Sequence, residues 1–320
     1  MAPTERLIPV APPSPSLPRE ERVIQLSDGR DLAVQFAGPP DGKAVFAFHG
    51  IPGSRLLPPA VETVATEFGV RFIGTDRPGF GRSDFQHGRT ILDWPIDVAE
   101  LADALGLDRF AVLGISSGSA YALAVALKLP DRVTRVGIAA GVTPKDLPVI
   151  RHKLAGIRVA RPALWAIRRS PRLARAVYGF PARGLTKVPE RAMAAMASGL
   201  SAPDQRALSR PEVAAYVLAM IREGLRAGGR GWAHGEMLLD ADWGFDPSDI
   251  SPDVPIHLWH GAEDSEVPVA HVERLTGELR NAELHVFPGE GHFSVTFNRL
   301  REIVRVLAGE PVAADRGPST

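Results

Sequence analysis

The stretch that most constrains this chain is Phe110 to Leu129, FAVLGISSGSAYALAVALKL. Phe110 to Leu113 predicts a short buried strand, and Tyr121, Leu123, Ala124, Val125 and Leu127 predict the apolar faces of a following helix. Between them, Gly114-Ile115-Ser116-Ser117-Gly118 fits G-x-S-x-G, where a serine sits on a strained strand-to-helix turn with its hydroxyl exposed above a sheet. Gly114 and Gly118 stand two residues either side of Ser116, where any Cβ would collide with the turning backbone. The free N–H groups and positive dipole end of the helix then face the place where an oxyanion would form. Small residues also suit a plain turn that lets a helix pack on a strand; the flanking strand and helix are what give this one a chemical reading. Such chemistry needs a base, an acid and a second oxyanion donor from elsewhere in the chain.

The order of elements supplies the frame. Glu21 to Leu26 and Asp31 to Phe36 flank Ser27-Asp28-Gly29-Arg30, a hairpin signal. Ala44 to Phe48 predicts a buried strand, Pro58 to Phe68 a helix, Val70 to Gly74 a strand, Thr90 to Leu105 an amphipathic helix and Val133 to Ala139 a further strand. Pro255 to Trp259, His271 to Arg280, Ala282 to Phe287 and Phe293 to Leu307 predict strand, helix, strand and helix. This alternation implies an α/β fold with a mostly parallel central sheet and helices on both faces.

Between about Pro144 and Asp246 strands disappear, and alanine-, leucine- and arginine-rich helical segments punctuated by proline take over. The expected organisation is a proline-rich arm at 1–20, a core of 21–143 and 247–310, a helical cap at 144–246 over the strand ends, and a loose tail at 311–320. Charge marks the same unit: the chain balances 37 basic and 37 acidic residues, yet Arg151 to Arg230 holds sixteen Lys and Arg against four acids, Glu190, Asp204, Glu212 and Glu223. Such a surplus either recognises an anionic substrate, an acidic partner or a membrane surface, or simply solvates an outer face.

Composition removes several classes. With no cysteine there is no disulfide frame, thiolate zinc site or cysteine nucleophile. The N-terminal MAPTERLIPVAPPSPSLPREERV has prolines and charges where a secretory signal needs an apolar core, and no uncharged apolar run reaches about 18 residues. The expectation is a cytoplasmic protein without stable membrane insertion. Balanced charge and the lack of a recognition motif argue against nucleic acid, and nothing fixes the oligomeric state.

The second informative site follows the Ala44 to Phe48 strand, in His49-Gly50-Ile51-Pro52-Gly53-Ser54-Arg55. Pro52 has no N–H, so Ile51 is the better donor to join Ser117 in an oxyanion hole. His49 reads as structural. Asp76 and Arg77, opening the loop Asp76-Arg77-Pro78-Gly79-Phe80-Gly81-Arg82-Ser83-Asp84, read as parts of a capped, salt-bridged turn. Among nine histidines, His292 stands apart: Gly289-Glu290-Gly291-His292-Phe293 follows the last strand and has the glycine freedom to aim a ring. The acid, which must hold the imidazole toward the serine, should also follow a strand. Asp264 in His260-Gly261-Ala262-Glu263-Asp264-Ser265-Glu266-Val267-Pro268 is preferred over its rivals Glu263, Glu266 and the distant Asp146.

With HGIPGSR, DRPGFGRSD, GISSG, HGAEDSEVP and GEGHF in that order, the chain resembles the α/β-hydrolase superfamily from about Val23 to Leu307, specifically its capped members with an HGxP oxyanion loop. The resemblance implies Ser116 as nucleophile, His292 as base, Asp264 as its orienting acid, and the N–H groups of Ile51 and Ser117 as oxyanion donors. Many relatives have Gly at the position of Ser117; the hydroxyls of Ser117 and Ser119 could alter the pocket without altering the backbone donors.

The implied reaction is two-step acyl transfer to water on an ester, lactone or related small acyl substrate, with no metal or organic cofactor required. Serine at the elbow argues against epoxide hydrolase and haloalkane dehalogenase chemistry. Those enzymes use aspartate, whose alkyl ester water can cleave at the carboxyl carbon, and an alkyl ether on Ser116 would have no such carbonyl. Carbon–carbon bond hydrolysis, cyclisation or acyl transfer in biosynthesis, and perhydrolysis stay open. So does a ligand-receptor role on the same scaffold.

Overall fold

The computed structural model describes residues 19–143, single positions between 170 and 179, and 189–311. Most of the proline-rich arm, the first part of the segment read as a cap and nearly all of the tail lie outside the described residues. Eight strands form one sheet in the order β1-β2-β4-β3-β5-β6-β7-β8. They are β1 Glu21–Gln25, β2 Asp31–Ala37, β3 Lys43–Phe48, β4 Val70–Thr75, β5 Phe110–Ile115, β6 Val133–Ala139, β7 Ile256–Gly261 and β8 Ala282–Phe287. Only β2 runs against its neighbours; β4-β3-β5-β6-β7-β8 is parallel throughout.

The period-2 alternation of β3 divides the core between the two faces of the sheet. Ala44, Phe46 and Phe48 pack with Trp94, Val112 and Tyr121 on one side, while Val45 and Ala47 pack with Leu113, Trp259 and Val304 on the other. The first face is covered by helices α2 (Trp94–Ala104), α3 (Gly118–Lys128) and α8 (Val269–Glu278), the second by α1 (Pro59–Glu67) and α10 (Leu300–Leu307). On the first side, Phe46 packs edge-to-face on Phe110 of the neighbouring strand at a centroid distance of 4.9 Å, and Phe48 packs edge-to-face on Trp94 of α2 at 5.4 Å, joining sheet to helix. Helix α3 is buried from Gly118 to Ala126, which explains its apolar character all round.

Among the described residues there is no strand between Ala140 and Pro255. Among the described residues, four α-helices with defined bounds lie in that interval: α4 Pro189–Ser198, α5 Ala202–Leu208, α6 Pro211–Gly224 and α7 Arg230–Asp240. Leu200, Leu208, Val213, Val217, Ile221 and Leu225 form a small core of their own, which packs against Phe293 and Phe297 of α9 (His292–Asn298). Two backbone contacts seat this layer: a Cβ on Gly224 would lie 2.1 Å from the Gly53 carbonyl oxygen, and one on Gly231 would lie 2.1 Å from that of Gly79.

Three elements differ from the sequence expectation. The helix expected over Thr90 to Leu105 opens as a 3-10 turn at Ile91–Asp93, closed by Asp93 accepting the Thr90 N–H. The helix expected from His271 starts at Val269, directly after Pro268. The single last helix is two, α9 and α10, because Arg299 at φ −102°, ψ 8° leaves the helical region.

Candidate active site

Every residue singled out for chemistry follows the C-terminal end of a strand in the parallel part of the sheet: His49 to Ile51 after β3, Asp76 and Arg77 after β4, Ser116 after β5, Asp264 after β7 and His292 after β8. Open parallel sheets bind ligands at that edge. A cavity of about 530 Å³ opens there, lined in part by Ile51, Ser116, Ser117, Glu236, Glu266 and His292.

Ser116 has φ +52°, in the left-handed region. Its N–H donates to Ala139 at 2.9 Å and its carbonyl accepts the Ser119 N–H at 3.0 Å, so the turn is pinned from both sides. A Cβ on Gly118 would lie 2.1 Å from the Phe48 carbonyl oxygen, and one on Gly114 would lie 2.7 Å from backbone atoms of Gly118 and Ser119. The glycine spacing around Ser116 is therefore a steric requirement. Ser119 is buried and turned away from the cavity, donating to the Ser116 carbonyl at 2.8 Å and accepting the Val142 N–H at 3.0 Å.

His292 Nε2 lies 3.0 Å from Ser116 Oγ, and His292 Nδ1 lies 2.8 Å from Asp264 Oδ2. Asp264 is fixed in turn by its other oxygen, which accepts the N–H groups of Glu266 and Val267, each at 2.8 Å. Burial alone would raise the Asp264 carboxyl; His292, His260 and the Val267 amide outweigh it and hold the group below the usual carboxylate range. Burial would likewise lower His292, but Asp264 first, then Glu266 and Asp204, bring it above the usual imidazole value. Of the rival acids, Glu263 makes, among the described residues, only a backbone contact to Glu290, Glu266 faces the cavity, and Asp146 lies outside the described residues.

Ile51 and Ser117 both line the cavity, and among the described residues neither N–H donates to a protein acceptor. Gly50, whose carbonyl shares a peptide unit with the Ile51 N–H, accepts from His49 Nδ1 at 2.6 Å. His49 Nε2 takes the Arg77 N–H at 3.4 Å, and burial followed by the Arg77 charge keeps its ring neutral, so both ring nitrogens serve the backbone. The Asp76–Arg77 turn is capped and salt-bridged at Asp76 and not at Arg77. The partner is Arg55, with Asp76 accepting its N–H at 2.6 Å and its guanidinium at 2.8 Å. Arg55 also reaches Glu21 and Glu223, which leaves Arg77 without a carboxylate among the described residues.

Two residues of consequence escaped the sequence reading. Asp204 of α5 accepts the N–H groups of His292, Phe293 and Ser294 at 2.8–2.9 Å, capping from outside the helix that carries His292. Glu236 of α7 faces the cavity and accepts the Trp232 indole N–H at 3.0 Å; burial raises its carboxyl to about 7, with Trp232 opposing and Glu266 adding to the rise. No sequence signal links Asp204 to a loop 88 residues away. Glu236 reads as an ordinary charge on an amphipathic helix.

Among the described residues, the one group with metal-ligand spacing is His257, Glu283 and His285, on β7 and β8, and none of the three lines the cavity. No described helix is long and apolar enough to cross a membrane.

Comparison with known proteins places the chain in a family. A RutD protein of Caulobacter sp. (strain K31), named as a carbamate hydrolase, is 27% identical over 284 residues, covering 84% of this chain and 92% of that one. The esterase RhEst1 from Rhodococcus sp. ECU1013 superposes with a TM-score of 0.62 at 22% identity, covering 92% of this chain and 99% of that one. A bromoperoxidase from Bacillus anthracis superposes with a TM-score of 0.64 at 19% identity, over 90% of this chain and 98% of the other. The sequence profile of the alpha/beta hydrolase fold matches residues 43–298, and the chain belongs to that family.

Proposed function

We propose that the protein is a serine hydrolase that cleaves a carboxylic ester, lactone or related acyl bond through an acyl-enzyme on Ser116. The observation that carries this reading is the continuous line Ser116 Oγ, His292 Nε2, His292 Nδ1, Asp264 Oδ2, with gaps of 3.0 and 2.8 Å. Ser116 Oγ attacks the substrate carbonyl carbon while His292 Nε2 takes its proton, and the carbonyl electrons move onto oxygen. The N–H groups of Ile51 and Ser117 receive that oxyanion, within an HGxP-type loop. When the tetrahedral adduct collapses, the leaving group departs with the proton from His292, leaving the acyl group on Ser116. A water deprotonated by His292 repeats the sequence, releasing the acid and restoring the serine. Asp264 stays ionised throughout and holds the ring in the tautomer that presents Nε2 to Ser116.

Helices α4 to α7 are the described part of the cap in this reading, and the residues that α4, α6 and α7 turn to the cavity bound the substrate. Leu57, Val61, Phe72, Leu113 and Ile303 give one side of the cavity an apolar wall, suited to a hydrocarbon acyl group. Glu236 and Glu266 also line the cavity, while Arg55, the one Lys or Arg among its described lining residues, is bound to three carboxylates. An anionic substrate, one of the readings that the basic count of 151–230 leaves open, gains nothing from these described carboxylates, and we read this part of the cavity as suited to a neutral or cationic group. The identification as an esterase is supported by the family and by the likeness to RhEst1.

The test is intact mass and peptide mapping after a fluorophosphonate, on the wild type and Ser116→Ala. One adduct on Ser116, absent in the variant, is the expected result. A folded protein that forms none would overturn the reading.

A further inference from the structure

Arg77 is 1% exposed, and its guanidinium carbon lies 4.3 Å from the centroid of the Tyr121 ring and 5.5 Å from that of Phe80. Among the described residues its Nε and Nη1 have no partner, and the neighbouring acid, Asp76, is committed to Arg55. A second buried guanidinium, Arg89, approaches the same Tyr121 ring at 5.6 Å. Burial lowers the Arg77 pKa, Tyr121 opposes the fall and Arg89 adds to it, yet at about 10 the group keeps its charge at neutral pH. A buried, unpaired charge lowers stability, and an apolar side chain of similar volume is often as good or better for the fold. Packing alone is thus a poor reason for an arginine here.

What Arg77 does touch is informative. Nη2 lies 3.4 Å from the Gly50 carbonyl oxygen and 3.5 Å from Ser117 Oγ. The Gly50–Ile51 peptide is trans, so drawing its oxygen toward Arg77 and His49 turns the Ile51 N–H the opposite way. Ser117 is the residue whose own N–H is the second donor. The two chain segments that would bind an oxyanion therefore share one cation behind them.

We propose that Arg77 is a positioning residue for the oxyanion site, holding the Gly50–Ile51 peptide and Ser117 from behind while supplying positive charge that meets its counter-charge only when the substrate oxygen becomes negative. The proposal rests on the acyl-transfer reading above. Arg77 stays protonated and forms no bond to substrate; its effect falls on the tetrahedral state and not on the bound ester.

The experiment compares wild type, Arg77→Met and Arg77→Lys on a neutral ester that the wild type turns over, with thermal unfolding and binding of a matched trifluoromethyl ketone and methyl ketone. Arg77→Met is expected to lower kcat by about 100-fold, in the range found for loss of one oxyanion donor. KM should change less than about threefold, and the unfolding midpoint should hold or rise, as for other buried charges replaced by apolar groups. Affinity for the trifluoromethyl ketone, whose adduct carries the oxyanion, should fall with kcat while the methyl ketone is unaffected. Arg77→Lys, with the charge but not the fork, should recover part of the loss. Wild-type turnover in Arg77→Met overturns the proposal while leaving the acyl-transfer reading intact, provided the fluorophosphonate adduct on Ser116 still forms. Failure of Arg77→Met to fold, or a lowered midpoint without recovery by lysine, assigns Arg77 to packing and overturns it too. Absence of the adduct from the wild type overturns both.

Discussion

Asp204 of α5 accepts the backbone N–H of His292 at 2.9 Å across 88 residues of sequence, so the helical layer holds the N-terminus of the helix whose first residue is the proposed base. The carboxylate is fully buried and also takes the N–H groups of Phe293 and Ser294. Asp204→Ala leaves three buried donors without an acceptor, and is expected to destabilise the fold by about 2–3 kcal/mol. Turnover should fall through kcat, since the His292 ring loses its anchor. Urea unfolding beside steady-state kinetics checks both; unchanged stability would contradict the capping assignment.

Ser116 separates chemistry from backbone strain. Ser116→Ala and Ser116→Gly should each lose about 10⁴-fold or more in turnover, as removal of a triad nucleophile does. They should differ in stability. At φ +52° a side chain costs about 1–2 kcal/mol, which glycine relieves, offset by about 0.5–1 kcal/mol for its freer unfolded chain. Ser116→Gly should therefore be about 0.5–1 kcal/mol more stable than Ser116→Ala. Calorimetry on the pair reads the difference directly.

The pH profile follows from His292. Its ring must be neutral to accept the Ser116 proton, and its pKa is raised, chiefly by Asp264 acting against burial. The acid limb of kcat/KM should accordingly have its midpoint above about 6.5, the ordinary imidazole value. In Asp264→Asn the main raising influence is gone and burial prevails, so the midpoint should move down while the plateau falls by about 10⁴-fold. A limb that shifts upward in that variant would contradict the role given to Asp264.

Glu236 gives the cavity a second titration. With its carboxyl raised to about 7, it is largely protonated at pH 6 and ionised at pH 8. Preference for an ammonium-bearing ester over its neutral isostere should grow across that interval, and Glu236→Gln should flatten the trend. Parallel kcat/KM ratios at the two pH values decide it.

What could be read from the sequence is what depends on neighbours in the chain. The elbow was legible because the clash at Gly114 and Gly118 is local, and the strands because β3 alternates between two cores within six residues. Asp264 and His292 could be placed at the C-terminal sheet edge because Asp264 lies in the loop after β7 and His292 opens the helix after β8. The rest is decided by contacts across the fold. Asp76 finds its partner in Arg55, 21 residues away, which β1 and α6 also meet with Glu21 and Glu223. The break at Arg299 is hidden because the apolar periodicity runs on from Val295 to Leu300 and Ile303, as if one helix continued. Glu236 carries no mark of its position, since only the packing of α7 over the sheet edge turns it inward.

The contacts of Gly224 with Gly53 and of Gly231 with Gly79 leave no side chain between the helical layer and the two loops beneath it. Such a joint has no cushion: any lateral slip of α6 or α7 is felt at once by the loops that carry Ile51 and Arg77. A graft of this segment from a relative, made to change substrate range, must therefore keep glycine at both helix positions. Otherwise a single methyl group wedges the helical layer away from its seat, and altered turnover would be misread as altered selectivity.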